Sequence, residues 1–235
     1  MTRSNDPSGE PTPPALRVED WRGWIEEELA LGDDPRLSIA AKPEAPALPA
    51  MLRRRLDATG RAACQALAEL ELPIDAPLIF ASRHGASSLT LNIIQELAKQ
   101  MPASPAQFSM SVHNAVLGVY SIALGHHGPI QAIAASGQEI DALFIDALGY
   151  LSEGHRVVGA VFCDSRLTPL HHELIPGPVA ACAVAMRLTL DRGRALSSSS
   201  TSTPLEASPV ELLRFMLGRD DQVTAQRRWH WSRPA

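Results

Sequence analysis

Long apolar runs are missing from this sequence. None of its 235 residues lies in a stretch of the roughly 18 or more consecutive apolar residues that a membrane span requires, so no transmembrane helix is expected. A basic stripe is missing too. Lys and Arg number 21 against 26 Asp and Glu, interspersed to a formal charge of −5, and nothing is arranged to neutralise phosphates or an anionic leaflet. Nucleic acid and membrane are therefore not expected as partners. Cysteine is scarce: Cys64, Cys163 and Cys182 are widely separated, odd in number and set in apolar runs, which excludes zinc-type pairing and suits reduced thiols packed as small hydrophobes. The G-x-G-x-x-G and Walker patterns are absent, and Gly125 and Gly128 are too sparse for a phosphate cradle, so no cofactor is expected. No carboxylate sits at helical ligand spacing beside His126-His127 or His171-His172, and no metal is assigned. The first 16 residues lack the apolar run of a secretory signal, and a cytoplasmic location is the expectation.

With 45% hydrophobic residues the chain can bury a substantial core, and its length suits one α/β domain with terminal extensions. Residues 1–14 (MTRSNDPSGEPTPP) have the composition of a disordered leader, which leaves 15–235 as a single domain. A short helical stretch is expected after Asp20-Trp21. A helix follows over about 51–71, with Leu52, Leu56, Ala63, Ala66, Leu67 and Leu70 on one side. Arg53, Arg54 and Arg55 in its first turns read as a solvated face. Residues 77–82 (PLIFAS) read as a buried strand, and a helix from Ser87 or Ser88 carries Leu89, Ile93, Ile94 and Leu97 at helical spacing. Residues 108–111 alternate too briefly to type, and 112–124, rich in Ala, Gly and Val, predict a central, tightly packed helix.

A strand at 130–135 turns into the clearest element, a helix over 138–152 with Ile140, Leu143, Phe144, Ala147, Leu148 and Leu151 in one stripe. Strands are expected at 156–162 and 179–190, and the Ser/Thr tract at 196–204 reads as a flexible loop. Ser208-Pro209-Val210-Glu211 matches a capping box that opens a helix to about Gly218. Trp229 and Trp231 alternate as on a strand that anchors the C-terminus, with a docking surface as the alternative. This order predicts an α/β domain with a mixed, layered sheet and packed helices.

The turn at 134–139 (AASGQE) sets Ser136 where a strand breaks into a helix, a geometry that can expose an activated serine to helix N-terminal amides. It is not a G-x-S-x-G elbow, and Ser136 reads first as an N-cap. His84, directly after a strand, and His113, at the start of a helix, are the weak candidates for a base or a ligand-orienting group. Asp164 and Glu173 read as solvated loop carboxylates.

Taken together, FASRHG at 80–85, FSMSVHNA at 108–115 and LGVYSI at 117–122 resemble the β-ketoacyl-synthase-like N-terminal domain family. That family includes the short chain-length-factor-like proteins of aryl polyene and xanthomonadin-type pigment clusters. The similarity runs from about Trp21 to the terminal Arg-Trp-x-Trp. The resemblance implies a thiolase-like half domain in which the nucleophilic cysteine's position falls on Ser136, or on Gly137 with the gap placed differently. None of the cysteines occurs in that turn, and a serine without a strong base is a much poorer nucleophile than a thiolate. The family's catalytic histidines come from the second half of a full-length synthase, so His113 does not take their role. The resemblance thus implies a non-catalytic subunit. Such a subunit pairs as a heterodimer with a catalytic ketosynthase in fatty-acid-like or aryl polyene biosynthesis, limits acyl length, and meets acyl carrier protein through the complex. Exposed apolar surface should then be hidden by the partner.

Two other functions stay open. A stand-alone acyltransferase or serine hydrolase using Ser136 with His84 or His113 requires a base within hydrogen-bond reach and an open cleft. A binding protein for acyl carrier protein requires a basic patch at a pocket mouth, for which Arg53, Arg54 and Arg55 are candidates.

Overall fold

The runs LIFA, VGAVFCD and CAVAMRLT contain hardly a polar break, and strand side chains alternate between faces, so each run needs cover on both sides. The structure, a computed structural model, describes residues 15–232 apart from 176 and 178. The expected leader at 1–14 lies outside the described residues. In chain order the elements are β1 (Arg17–Ile25), β2 (Leu37–Ile39), α1 (Ala50–Arg53), α2 (Ala58–Glu69), β3 (Leu78–Ala81), α3 (Ser87–Ala98), α4 (Pro105–Met110) and α5 (Ala115–Leu124). Then come β4 (Ile130–Ile133), α6 (Glu139–Ser152), β5 (Val158–Asp164), α7 (Pro169–His172), β6 (Cys182–Thr189), β7 (Arg194–Ser200), α8 (Pro209–Met216), β8 (Gln222–Thr224) and β9 (Arg227–Trp231).

The strands join in the order β4-β3-β5-β6-β1-β7-β9-β8, with β2 beside β1. Strand β3 runs parallel to β4 and β5, while β6 is antiparallel to both β5 and β1, which makes the sheet mixed, as expected. Ile79, Ala81, Phe162, Val184 and Met186 face a core shared with the stripe of α6 and with Leu213 and Phe215 of α8. Phe80, Val161, Cys163, Ala183 and Ala185 face the other core, under α2 and α5. The small residues there match an Ala-rich helix, so the backbones approach closely. At Gly159 a Cβ would lie 2.3 Å from Leu72.

Four expectations are corrected. The stretch after Asp20-Trp21 is strand β1, not helix. Val18 and Trp21 are three apart yet share one core, a helix-like spacing produced by a bulge between Val18 and Asp20. The helix over 51–71 is two helices, because Asp57 caps α2 by accepting from Gly60 N at 2.7 Å and leaves 54–57 outside both. The Ser/Thr tract is not a loop throughout. Residues 194–200 form β7, paired with β1 at 194–195 and with β9 at 196–200, and only 201–204 of the expected loop stay irregular. The helix at 112–124 begins at Ala115 and is packed on one face only, with Ile122 74% exposed and open space beside Gly118.

The C-terminal strand is anchored by one carboxylate. Asp141 in the first turn of α6 is buried and accepts from Gln226 N at 2.6 Å, Arg227 N at 3.1 Å and Trp229 Nε1 at 2.7 Å. The Trp229 ring meets Phe144 edge to face at 4.8 Å, and Trp231 stacks on Phe215 at 4.7 Å. Asp141→Ala leaves these donors unpaired and is expected to lower stability by about 3 kcal/mol. Urea unfolding measures the loss, and amide exchange should quicken first at 226–231.

Candidate functional site

Between β4 and α6 the chain turns through two left-handed residues, Ser136 at φ 51° and Gly137 at φ 100°. Glycine is needed at 137, where a Cβ would also meet the Glu206 side chain at 2.8 Å. The fully buried carboxylate of Glu139 folds back into this turn. Ala135 N and Gly137 N each donate to its Oε1 at 3.1 Å, and Gly137 N also reaches Oε2. Arg83 completes the cage, donating to Glu139 Oε2 through Nε at 3.4 Å and Nη2 at 3.3 Å. Its remaining contacts, to Glu206 at 3.2 Å and the Ala207 carbonyl at 3.2 Å, strap residues 206–207 over the turn. An oxyanion hole needs free amides at this kind of turn, and here those of Ala135 and Gly137 are committed to a carboxylate.

Ser136 is therefore not the N-cap. Gln138 holds that position without a side-chain bond, and Ser136 is exposed, with no hydrogen bond to its hydroxyl among the described residues. Neither candidate histidine engages it. His113 Nε2 lies 2.8 Å from the Ile133 carbonyl and its ring meets Phe80 edge to face, while the half-buried His84 is held below the usual imidazole range mainly by desolvation.

Asp164 is not a solvated loop carboxylate. It ends β5 nearly fully buried and accepts from Ser82 Oγ at 2.7 Å, His84 N at 3.1 Å and Arg83 N at 3.3 Å, with burial raising its pKa. Glu173 is exposed, as expected. All the cysteines are buried free thiols. Burial pushes Cys64 up to about 12 and the other two well above their ordinary value. Among the described residues, no three His, Cys, Asp or Glu side chains gather as a metal ion would need.

A cavity of about 280 Å³ opens beside this cluster, but Ser136 and His84 do not line it. Leu56, Phe80, Leu89, Met110 and Val116 make its apolar wall, and Ser82, His113 and Asp164 a polar patch. Arg55 lies on its lining and is exposed, whereas Arg53 and Arg54 do not line it. Large exposed apolar side chains occur on Ile130 of the edge strand β4 and on Ile145 of α6, which packs on it, and also on the crossover helices, with Ile94 and Leu97 on α3, Phe108 on α4 and Ile122 on α5. The stripe of α3 thus faces mainly outward, with only Ile93 buried. Among the described residues no helix is long and apolar enough to cross a membrane.

This layered sheet with its strand-turn-helix at 130–139 is a thiolase-like ketosynthase fold. The family described as beta-ketoacyl synthase, N-terminal domain, matches residues 21–232, and the chain belongs to it. Among solved structures it is similar to a chain in a complex of a ketosynthase (ApeO) with its chain length factor (ApeC) from Xenorhabdus doucetiae. That match has 24% identity and TM-score 0.76, covering 93% of this chain and 99% of that one. The ishigamide ketosynthase/chain length factor matches at 10% identity and TM-score 0.57 over 79% of this chain and 67% of that one. A type II polyketide acyl-carrier protein in complex with its ketosynthase (AntDE:AntF) matches at 16% identity and TM-score 0.51 over 88% and 73%. No curated protein matches.

The turn and the thiols can each be tested. Ser136→Gly relieves a left-handed L-residue and should raise stability by about 0.5–1 kcal/mol in denaturant titration, whereas Ser136→Ala should stay within about 0.5 kcal/mol of wild type. With the thiols buried and protonated, iodoacetamide at mildly alkaline pH should leave the native protein unlabelled and modify all the cysteines in urea.

Proposed function

We propose that this chain is the catalytically silent, chain-length-factor-like partner of an active β-ketoacyl synthase, working in the cytoplasm on a fatty-acid-like or aryl polyene chain. The observation that carries this reading is the turn at 135–139. Decarboxylative condensation needs a thiolate that accepts the acyl group and amides that stabilise the resulting oxyanion. Ser136 stands at the nucleophile's position, and the amides on either side of it bind Glu139. No histidine donates to or accepts from the Ser136 hydroxyl among the described residues, which removes the basis for a stand-alone serine hydrolase or acyltransferase.

The edge at β4 supports the pairing. An edge strand with exposed Ile130, beside exposed Ile145 of α6, is an aggregation liability unless something covers it, and specific interfaces commonly bury about 1,600 Å² in all. A ketosynthase of the same fold presents a matching edge and forms the heterodimer there. The match to a chain of the Xenorhabdus ketosynthase and chain length factor complex supports the reading. Acyl carrier protein is met through the complex, and the active cysteine and histidines belong to the other subunit.

Co-expression with the ketosynthase encoded beside it, followed by size-exclusion chromatography and a condensation assay, tests the reading. A stable heterodimer is expected, with condensation in Ser136→Ala within about twofold of wild type. Ile122→Asp, on the exposed face of α5, should prevent co-elution. A monomer with its own Ser136-dependent thioesterase or transferase activity would overturn the proposal.

A further inference from the structure

Positive charge is missing from a long stretch of this chain. From Met101 to His155, which spans α4, α5, β4 and α6, the sequence holds no Lys or Arg, while its acids are Glu139, Asp141, Asp146 and Glu153. Two of these are engaged inside. Glu139 is buried against Arg83, and Asp141 is buried under the Gln226, Arg227 and Trp229 donors. Glu153 stands past the last turn of α6, so Asp146 is the carboxylate of this stretch that lies beside the edge strand. Gln131 of β4 holds it there, donating its side-chain amide to Asp146 Oδ2 at 2.5 Å. Tyr150, one turn further along α6, donates to Gln131 Oε1 at 3.4 Å, and its ring meets His155 edge to face at 5.6 Å. The relay thus runs from Tyr150 through Gln131 and ends on a half-buried carboxylate. Among the described residues Asp146 Oδ1 accepts no hydrogen bond, and Asp146 forms no ion pair.

We propose that Asp146 selects what covers the β4 edge: the partner presents a Lys or Arg side chain to Asp146 Oδ1, and a second copy of this chain is excluded. Exposed Ile130 and Ile145 lie beside it, so a contact that dries these isoleucines also strips water from the carboxylate. A carboxylate that loses its water needs a cation in exchange. A two-fold contact between copies repeats each residue across the axis, so it would set acid against acid and bring no Lys or Arg from α4, α5, β4 or α6. The charge therefore does two things at once. It favours a partner of opposite sign at the edge and works against self-pairing there. The inference rests on the partner-subunit reading and adds to it the chemistry of the partner's edge.

Biolayer interferometry of the full chain on the immobilised ketosynthase encoded beside it tests the inference, with sodium chloride raised from about 50 to about 500 mM. Wild-type binding should weaken steadily with salt. Asp146→Asn keeps an oxygen for the Gln131 amide and loses only the charge, so it should bind about tenfold more weakly at low salt and lose most of the salt dependence. Asp146→Lys should bind more weakly still, and Asp146→Glu should stay within a few-fold of wild type. Circular dichroism and thermal melts verify that each variant is folded, and ultracentrifugation of the wild-type chain alone should find a monomer. Binding by Asp146→Asn or Asp146→Lys as tight as wild type, an unchanged salt dependence in Asp146→Asn, or a wild-type homodimer overturns the proposal. A heterodimer indifferent to residue 146 sinks this inference and leaves the partner reading standing, whereas a wild-type chain that binds no ketosynthase at any salt sinks both.

Discussion

A buried carboxylate must find its partners inside the fold, and Glu139 recruits them from two parts of the chain and through one of them reaches a third. The Ala135 and Gly137 amides come from the turn, Arg83 from the residues after β3, and Arg83 in turn grips Ala207 and Glu206. Each depends on the others. Without Arg83 the charge is uncompensated, and without the left-handed pair at 136–137 the amides do not converge on it. The arrangement fixes where β4 ends, where α6 begins and how the 206–207 segment lies against both. Asp141, near the start of the same helix, does the same for the C-terminal strand. Two acidic residues in the first turn also suit the positive end of the helix dipole.

The two faces of the sheet are closed unequally. On one, α6, α8 and the Trp229 anchor fill a continuous core that runs from Leu16 to Trp229. On the other, α2 covers the centre, and the crossover between β3 and β4 is broken into α3, α4 and α5, none longer than 12 residues. Short helices cannot bury their whole apolar stripes under so small a sheet area. The surplus appears as exposed Ile94, Leu97, Phe108 and Ile122, and the imperfect seam against β3 and β5 appears as the cavity. On the partner-subunit reading both come from one cause, an outer wall supplied by a second protein.

What the sequence made legible was whatever repeats. The stripe of α6, the buried runs of β3 and β6 and the capping box at Ser208 arise from periodicity and local chemistry, and the structure holds all of them. Strand β1 was illegible because a bulge gave it the spacing of a helix, and β7 because a run of serines carries no hydrophobic alternation to mark a strand. The site was half legible. FASRHG and the turn at 134–139 were singled out, yet Arg83 and Glu139, which couple them, are 56 residues apart and carry no local sign of being a pair. Asp164 hid for a similar reason, since its partners lie 80 to 82 residues away and in sequence it looks like the start of a loop.

On the partner-subunit reading, the same pairing bears on why the turn is silent. A cysteine placed at 136 would sit on a turn in which the amides on either side, those of Ala135 and Gly137, bind Glu139 and are not free to donate to a tetrahedral intermediate. Freeing those amides means removing Glu139. That leaves Arg83 largely buried without its main counter-charge, a change that typically costs about 3–5 kcal/mol where whole domains hold only about 5–15. Freeing these amides and keeping the fold thus pull in opposite directions. In this chain Arg83, Glu139 and the Ala135 and Gly137 amides hold the turn, the helix and the overlying strap together.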